Sequence, residues 1–205
     1  MQIILDLDNT LLNTSRIKKG LAKALINIGV SEELFKKVYK KLRRKGFYNH
    51  KIYIEYLSKE KKIDRKKCLA QLKKTDDKIK NYLYPDALWF LKKSAVLRKK
   101  VGVKIILLTY GDPEFQKIKL EKTKIAKYFD KIIITETKKT PIVSKIASKT
   151  NDKIFFINDD TDEIREIVGK FKNVEVLHIK RKNRDKEIPN TETLKTPTFI
   201  DVKQV

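Results

Sequence analysis

Short apolar runs that are rich in β-branched residues recur along the chain, and polar residues follow most of them. These runs are residues 3–5, 103–108, 132–134, 154–157 and 174–179. Continuous apolar runs of this length are typical of strands that are buried on both faces of a parallel sheet. Helical patterns separate the later runs, as with Phe115, Ile118 and Ile125 between the second and the third. This alternation predicts an α/β fold, with a Rossmann-like parallel sheet flanked by helices.

The segment between the first two apolar runs has a different pattern, because it contains amphipathic helical repeats and no strand. Apolar residues recur at helical spacing in 17–28, 34–42, 52–57 and 69–83. Pro85 then suits the first turn of a helix that leads into the second strand.

We therefore expect two domains. The first is a sheet domain formed by residues 1–12 and 85–205, and the second is an α-helical domain, residues 13–84, inserted after the first strand. Near the end of the chain, the alternation over Thr198–Val202 predicts a short edge strand.

The chain has a large positive charge, with 49 Lys plus Arg against 26 Asp plus Glu and a formal net charge of +23. Such a charge attracts phosphorylated metabolites, nucleic acids or anionic membrane surfaces. The lysines are spread along the whole chain, which favours a compositional bias over a dedicated patch for binding polyanions. Nucleic acid is therefore the less favoured partner.

The lone cysteine, Cys68, cannot form an internal disulfide, which suits a reducing compartment. The chain shows no signal-peptide pattern, and no apolar stretch approaches the ~20 residues that a membrane span requires. We expect a cytoplasmic protein without a membrane partner, and either a monomer or a homodimer is compatible with the sequence.

Candidate chemistry lies directly after the apolar runs, where a doubly wound sheet binds its ligands. The polar residues at these positions are Asp6, Asp8 and Thr10, then Thr109 and Gly111, then Lys138 and Lys139, then Asn158, Asp159 and Asp160. Asp6 and Asp8 are two residues apart, so in an extended chain their carboxylates point to the same side and each raises the pKa of the other. A bound metal ion or a shared proton offsets that repulsion.

These residue types are the ones that magnesium-assisted phosphoryl transfer needs. A carboxylate can attack phosphorus, a second carboxylate can move a proton, and Mg²⁺ prefers carboxylate oxygens. Hydroxyl, amine and backbone N–H donors can bind the oxygens of the transferring group. Each residue alone also has an ordinary interpretation, such as a turn-forming aspartate or a surface lysine, and the agreement of four positions favours a site.

The order of these motifs resembles that of the haloacid dehalogenase-like hydrolase superfamily. The motifs are Asp6-Leu7-Asp8-Asn9-Thr10, Leu107-Leu108-Thr109, Lys138 or Lys139, and Ile157-Asn158-Asp159-Asp160. The resemblance covers the sheet domain, and the inserted helices resemble the cap domain that this superfamily has at its first insertion site.

The resemblance implies roles for the individual residues. Asp6 attacks phosphorus, and Asp8 protonates the leaving oxygen and then deprotonates water. Thr109 binds phosphoryl oxygens, and a lysine steadies the nucleophile. Lys139 is the better candidate for that lysine because it is closer to the helix start at Thr140-Pro141. Thr10, Gly111 and Lys138 are the expected substrate-binding residues, and Asp6, Asp8, Asp159 and Asp160 are the expected Mg²⁺ ligands.

Asp8 also separates two reaction types, since superfamily members that dehalogenate lack an acid at this place. We therefore expect a Mg²⁺-dependent phosphomonoester hydrolase that forms an aspartyl-phosphate on a small phosphorylated metabolite. The alternatives are a phosphomutase of the same superfamily and a basic nucleic-acid-associated protein or polynucleotide-end phosphatase. The sequence has no recognisable nucleic-acid-binding motif to support the last of these.

Overall fold

The computed structural model describes residues 1–45 and 47–181, so the edge strand predicted over residues 198–202 lies outside the described residues. The chain divides into two compact units. The sheet unit contains Met1–Ser15, Leu83–Tyr110 and the chain from Ile125 onward. The helical unit contains Arg16–Tyr82 and Gly111–Lys124.

The sheet unit is built on five parallel strands in the order β3-β2-β1-β4-β5. The strands are β1 (Gln2–Leu5), β2 (Lys104–Tyr110), β3 (Lys131–Thr135), β4 (Ile154–Asn158) and β5 (Val174–His178). Every residue of β1 and of β4 is buried, which explains why these strands read as unbroken apolar runs. The predicted Rossmann-like parallel sheet is confirmed.

Helices flank this sheet and cover its apolar faces. They are α5 (Pro85–Val101), α7 (Thr140–Ala147) and α8 (Thr161–Ile167). Ile4, Ile106 and Phe156 point to one face of the sheet and form a core cluster with Val143 and Ala147 of α7. Each central strand alternates its side chains between two buried faces, so each needs apolar residues at nearly every position.

The register of the sheet brings the ends of its strands level with one another. Leu5 of β1 pairs with Leu107 of β2 on one side and with Ile157 of β4 on the other. The residues that follow these three positions therefore emerge at the same edge of the sheet. Asp6, Thr109 and Asn158, which the sequence singles out, lie at this edge.

The helical unit contains five α-helices in the residues that the structure describes. Four of them are α1 (Thr14–Ile26), α2 (Glu32–Lys45), α3 (His50–Glu60) and α4 (Arg65–Asp76), and the fifth is α6 (Pro113–Thr123). Their apolar stripes are buried as the periodicity predicts, for example Ile17, Leu21 and Leu25 on α1. None of the helices in residues 1–45 and 47–181 has the length and apolar character needed to cross a bilayer.

Helix α6 groups with the helical unit, although the predicted boundaries of 13–84 leave it in the sheet domain. The reason is aromatic packing, because Phe115 lies with its ring centroid 4.9 Å from that of Tyr48 and 5.2 Å from that of His50. The Asn49 side-chain amide also donates to Glu114 at 3.1 Å. These contacts join two segments that are far apart in the sequence.

His50 is buried, whereas its helical position suggests an exposed side chain. Its Nε2 lies 2.9 Å from Asp76 Oδ1, and its Nδ1 lies 2.8 Å from Tyr48 Oη. Both ring nitrogens therefore have partners inside the helical unit, and a buried polar group needs such partners.

Candidate active site

The first acidic loop begins where β1 ends. The Asp6 amide donates to the Ile157 carbonyl at 3.0 Å, so sheet pairing extends to the nucleophile candidate itself. The Asp6 side chain is almost completely buried, with 4% of the residue exposed. Asn9 then adopts φ 57°, in the left-handed region that asparagine tolerates better than most residues. The chain can thus turn tightly at the end of a central strand.

Lys139 is the lysine that the structure brings to Asp6. Its buried ammonium donates to Asp6 Oδ1 at 2.5 Å and lies 2.8 Å from Glu163 Oε2. The Asn158 amide donates to the same Glu163 oxygen at 2.5 Å, so the position of Glu163 is also fixed. Asn158, which is fully buried, therefore acts through hydrogen bonding at this site.

Lys138 has a different environment, although it is the neighbour of Lys139 in the sequence. Its ammonium is exposed and pairs with Glu166 Oε1 at 2.6 Å. The structure does not bring Lys138 to the acidic loop. The direction of the side chain at the start of α7, which the sequence leaves open, separates the two lysines.

The electrostatics of this pair follow from its burial. Burial raises the pKa of Asp6 from its usual 3.8 to about 6, although the Lys139 charge opposes that rise. Asp8 and Glu163 add to the rise because they are like charges. Burial lowers the pKa of Lys139, but the carboxylates of Asp6 and Glu163 outweigh it and hold that pKa above its usual value. At neutral pH, Asp6 is therefore an anion beside a buried cation.

The Asp8 carboxylate accepts a hydrogen bond from the first residue of α1. The Thr14 hydroxyl donates to Asp8 Oδ1 at 2.5 Å. A hydroxyl donor of this kind fixes the orientation of the carboxylate. Asp8 is half-buried, whereas Asp6 is buried, so the two acids of the motif have different environments.

Thr109 lies at the same edge of the sheet and is fully buried near the end of β2. It comes two residues after Leu107, which pairs with Leu5 immediately before Asp6. Gly111 follows β2 and groups with the helical unit, where a Cβ added at this position would lie 2.8 Å from Gln116 Nε2. Asp112 then caps α6 by accepting from the Phe115 amide at 2.8 Å.

The two acids after β4, Asp159 and Asp160, have different hydrogen-bond partners. Asp159 is buried, and its Oδ1 accepts from the Thr10 hydroxyl at 3.5 Å, which links it to the first acidic loop. Asp160 Oδ1 accepts from the Asp162 and Glu163 amides at 2.9 and 3.2 Å, and so it caps α8. This difference favours Asp159 over Asp160 as a candidate metal ligand, and Thr10 contacts Asp159.

The donor set suits a magnesium ion. Asp6 and Asp159 would supply carboxylate oxygens and, as the family resemblance implies, Asp8 a backbone carbonyl, all of them hard ligands; Mg²⁺ is commonly bound by one or two carboxylates together with water and phosphate. In residues 1–45 and 47–181, no cluster of three or more His, Cys, Asp or Glu side chains is arranged to hold a metal. A cation here would also favour the ionised form of Asp6.

Three residues that contact the acidic loops of the candidate site are not predicted from the sequence. They are Thr14, His178, whose Nε2 lies 3.3 Å from the Asp159 carbonyl, and Arg181, whose Nη2 donates to the Thr10 carbonyl at 2.6 Å. Thr14 could be found by asking which hydroxyl opens the helix after the first motif. His178 and Arg181 have no local signal, because they reach the site only through the pairing of β5 with β4.

Comparison with known proteins assigns the chain to a family. The family model for haloacid dehalogenase-like hydrolases matches residues 3–166, so the chain belongs to this family of hydrolases, as its motifs predict. A search of curated proteins finds no match to the chain.

Solved structures with the same fold include a protein from Burkholderia xenovorans LB400 that is assigned as a haloacid dehalogenase-like hydrolase. It is 14% identical, with a TM-score of 0.66 over 86% of this chain and 80% of that one. YfnB of Bacillus subtilis, which is assigned as a HAD hydrolase and whose structure is bound to magnesium, is 10% identical, with a TM-score of 0.58 over 92% of this chain and 90% of that one. The L-2-haloacid dehalogenase of Xanthobacter autotrophicus is 14% identical, with a TM-score of 0.57 over 87% and 76%. At these identities the likeness shows the fold alone.

Proposed function

We propose that this hydrolase is a Mg²⁺-dependent phosphomonoesterase of the cytoplasm that acts on a small phosphorylated metabolite through an aspartyl-phosphate at Asp6. The observation that supports it most is the buried Asp6–Lys139 pair, with a second acid, Asp8, two residues further on. An anionic nucleophile and a separate acid–base group are the two parts that this reaction needs.

In the first half of the proposed reaction, an Asp6 carboxylate oxygen attacks phosphorus and the bond from phosphorus to the leaving oxygen breaks. Asp8 gives its proton to that oxygen, and the product leaves as an alcohol. In the second half, Asp8 takes a proton from water and the resulting hydroxide attacks the same phosphorus. Inorganic phosphate departs and Asp6 is regenerated, so atoms and charge balance over the cycle.

The surrounding residues orient these groups. Lys139 holds the Asp6 carboxylate by a charged hydrogen bond, which also keeps the nucleophile ionised. Thr14 orients Asp8, and the hydroxyl of Thr109 would donate to a phosphoryl oxygen. Asp6, Asp159 and the Asp8 carbonyl would hold Mg²⁺, which supplies neutralisation of the phosphate charge when it is bound. The helical unit is proposed to act as a cap that excludes water and selects the substrate.

Dehalogenation is the main competing reaction, since the family includes haloacid dehalogenases. That reaction needs a nucleophilic carboxylate but no acid to protonate a leaving oxygen. The presence of Asp8, held by the Thr14 hydroxyl, favours phosphoryl transfer.

A screen of nucleotides, sugar phosphates and small phospho-acids, with Mg²⁺ and with EDTA, tests this proposal. We expect Mg²⁺-dependent phosphate release that is lost in Asp6→Asn and falls by about 10²–10⁴-fold in Asp8→Asn. The matched control is Asp160→Asn, which changes an acid of the fourth motif that caps a helix. Turnover of a 2-haloacid by a protein inactive on all phosphates would contradict the proposal.

The same screen separates the alternatives. Isomerisation of a sugar phosphate without net phosphate release would indicate a phosphomutase. Preference for the phosphorylated end of an oligonucleotide, with a steep dependence on salt, would indicate a polynucleotide phosphatase.

A further inference from the structure

Arg181 lies just beyond β5 and contacts Thr10, Tyr84 and Asp86 within the sheet unit. Its Nη1 donates to Asp86 Oδ2 and its Nη2 donates to the Thr10 carbonyl, both at 2.6 Å. Its guanidinium carbon lies 3.9 Å from the centroid of the Tyr84 ring. The Arg181 side chain is only 13% exposed, so these contacts are largely shielded from water.

The partners of Arg181 come from the two places where the chain leaves the sheet unit and returns to it. Thr10 precedes the helical insertion, while Tyr84 and Asp86 follow it. The two crossings are joined directly, because the Tyr84 amide donates to the Leu11 carbonyl at 3.0 Å and Leu12 bridges to Leu83. Arg181 therefore ties this junction to the sheet.

The same contacts lead to the proposed metal site. Arg181 donates to the carbonyl of Thr10, and the hydroxyl of Thr10 donates to Asp159 Oδ1 at 3.5 Å. The chain just before Arg181 supports the same acid, since the Ile179 amide donates to the Asn158 carbonyl at 2.9 Å and His178 lies against the Asp159 carbonyl. The segment from His178 to Arg181 thus contacts both the acidic loop after β1 and the acidic residues after β4.

Only arginine can make these contacts together. Its planar fork reaches two acceptors at once, and its flat face stacks on an aromatic ring. A lysine ammonium would satisfy either the carbonyl or the carboxylate with little stacking. The need for a fork therefore favours arginine over lysine at position 181, although lysine is the commoner basic residue in the chain.

We propose that Arg181 is a positioning residue that fixes Thr10, and through it Asp159, for the binding of Mg²⁺ and phosphate. The inference rests on the proposed function. Residues that orient metal ligands without touching the metal change metal affinity or activity by about 10–100-fold when they are replaced.

The test compares Arg181→Gln and Arg181→Lys with Asp86→Asn. The Asp86 variant loses the ion pair but leaves Arg181 able to donate to Thr10, so it is the matched control for stability. We would measure Mg²⁺ affinity by calorimetry without substrate, kcat and KM at saturating Mg²⁺, and thermal unfolding.

We expect both Arg181 variants to bind Mg²⁺ at least about 10-fold more weakly and to lose kcat more than they raise KM. Asp86→Asn should stay within about 3-fold of the wild type in Mg²⁺ affinity while showing a lower unfolding temperature. If Arg181→Gln does not fold, the Mg²⁺ affinity of Arg181→Lys tests the inference, since this variant retains the positive charge.

Equal Mg²⁺ affinity in folded Arg181 variants and in Asp86→Asn would show that Arg181 is a structural anchor and would overturn the inference. That result would leave the proposed function intact. A wild-type protein that binds no Mg²⁺ would instead contradict the proposed function, and this inference with it.

Discussion

Replacing Lys139 by methionine should destabilise the protein strongly, because it removes one cation from two carboxylates. The ammonium lies 2.5 Å from Asp6 Oδ1 and 2.8 Å from Glu163 Oε2, and Lys139 itself is 2% exposed. Methionine keeps nearly the length and volume of the lysine stem. The main change is therefore the loss of the charge.

The expected size follows from the burial of the three groups. Breaking a buried ion pair by removing one partner costs about 3–5 kcal/mol, because the remaining charge loses its compensation. The Asp6 side chain is only 6% exposed, but that of Glu163 is 24% exposed, so water relieves part of its penalty. We expect a loss of about 3 kcal/mol at pH 7, toward the lower end of that range.

Urea unfolding of metal-free protein at pH 7 measures this loss. The matched control is Lys138→Met, since Lys138 is adjacent but exposed and pairs with Glu166 on the surface. That variant should stay within about 0.5 kcal/mol of the wild type. The double variant Lys139→Met/Glu163→Gln should recover part of the loss, because one uncompensated carboxylate is gone.

The loss should also depend on pH. Without Lys139, the pKa of Asp6 rises further above its unfolded value, so the folded protein binds a proton that the unfolded chain releases. The Lys139→Met variant should thus be closest to the wild type at acidic pH and weaken as the pH rises. A loss below about 1 kcal/mol at pH 7, or equal losses in the Lys138 and Lys139 variants, would refute the electrostatic account of the pair.

Three other perturbations test the remaining parts of the structure. The pKa of Asp6 in the folded protein is about 6, against the usual 3.8. The stability that this shift contributes is therefore complete below about pH 4 and is lost as the pH rises through 6. Asp6→Asn should remove up to about 3 kcal/mol of that pH dependence, measured by urea unfolding of metal-free protein. Thr14→Val should lower kcat by about 10-fold with little change in KM in steady-state assays, since it removes a charged hydrogen bond to Asp8. Asp76→Leu should cost about 1–3 kcal/mol in thermal unfolding, because His50 Nε2 loses its acceptor in the helical unit. An unchanged pH dependence in Asp6→Asn, an unchanged kcat in Thr14→Val or an unchanged thermal stability in Asp76→Leu would contradict the corresponding expectation.

The sheet and the inserted helices could be predicted because their signals are local. Runs such as 103–108 and 154–157 are apolar at nearly every position, and only a strand covered on both faces requires that. The stripe through Ile17, Leu21 and Leu25 fixes α1 in the same way. Helix α6 shows the limit, since its place in the helical unit depends on the distant contact of Phe115 with Tyr48.

The candidate site was predictable where parallel strands carry their residues to one edge. Asp6, Thr109 and Asp159 follow from that rule alone. The choice of Lys139 over Lys138 depends on side-chain direction at the start of α7, where adjacent residues point about 100° apart on a helix. The part played by Arg181 depends on a contact across 171 positions, for which no local pattern exists.

The most direct test of the central claim is to trap the covalent intermediate. The wild-type protein is mixed with Mg²⁺ and the best substrate of the screen, quenched with acid during turnover, and digested for mass spectrometry. The account predicts one phosphate on the peptide that contains Asp6, and none in the Asp6→Asn variant. Rapid turnover with that peptide unmodified, or with the phosphate on another residue, would contradict the claim that Asp6 is the nucleophile.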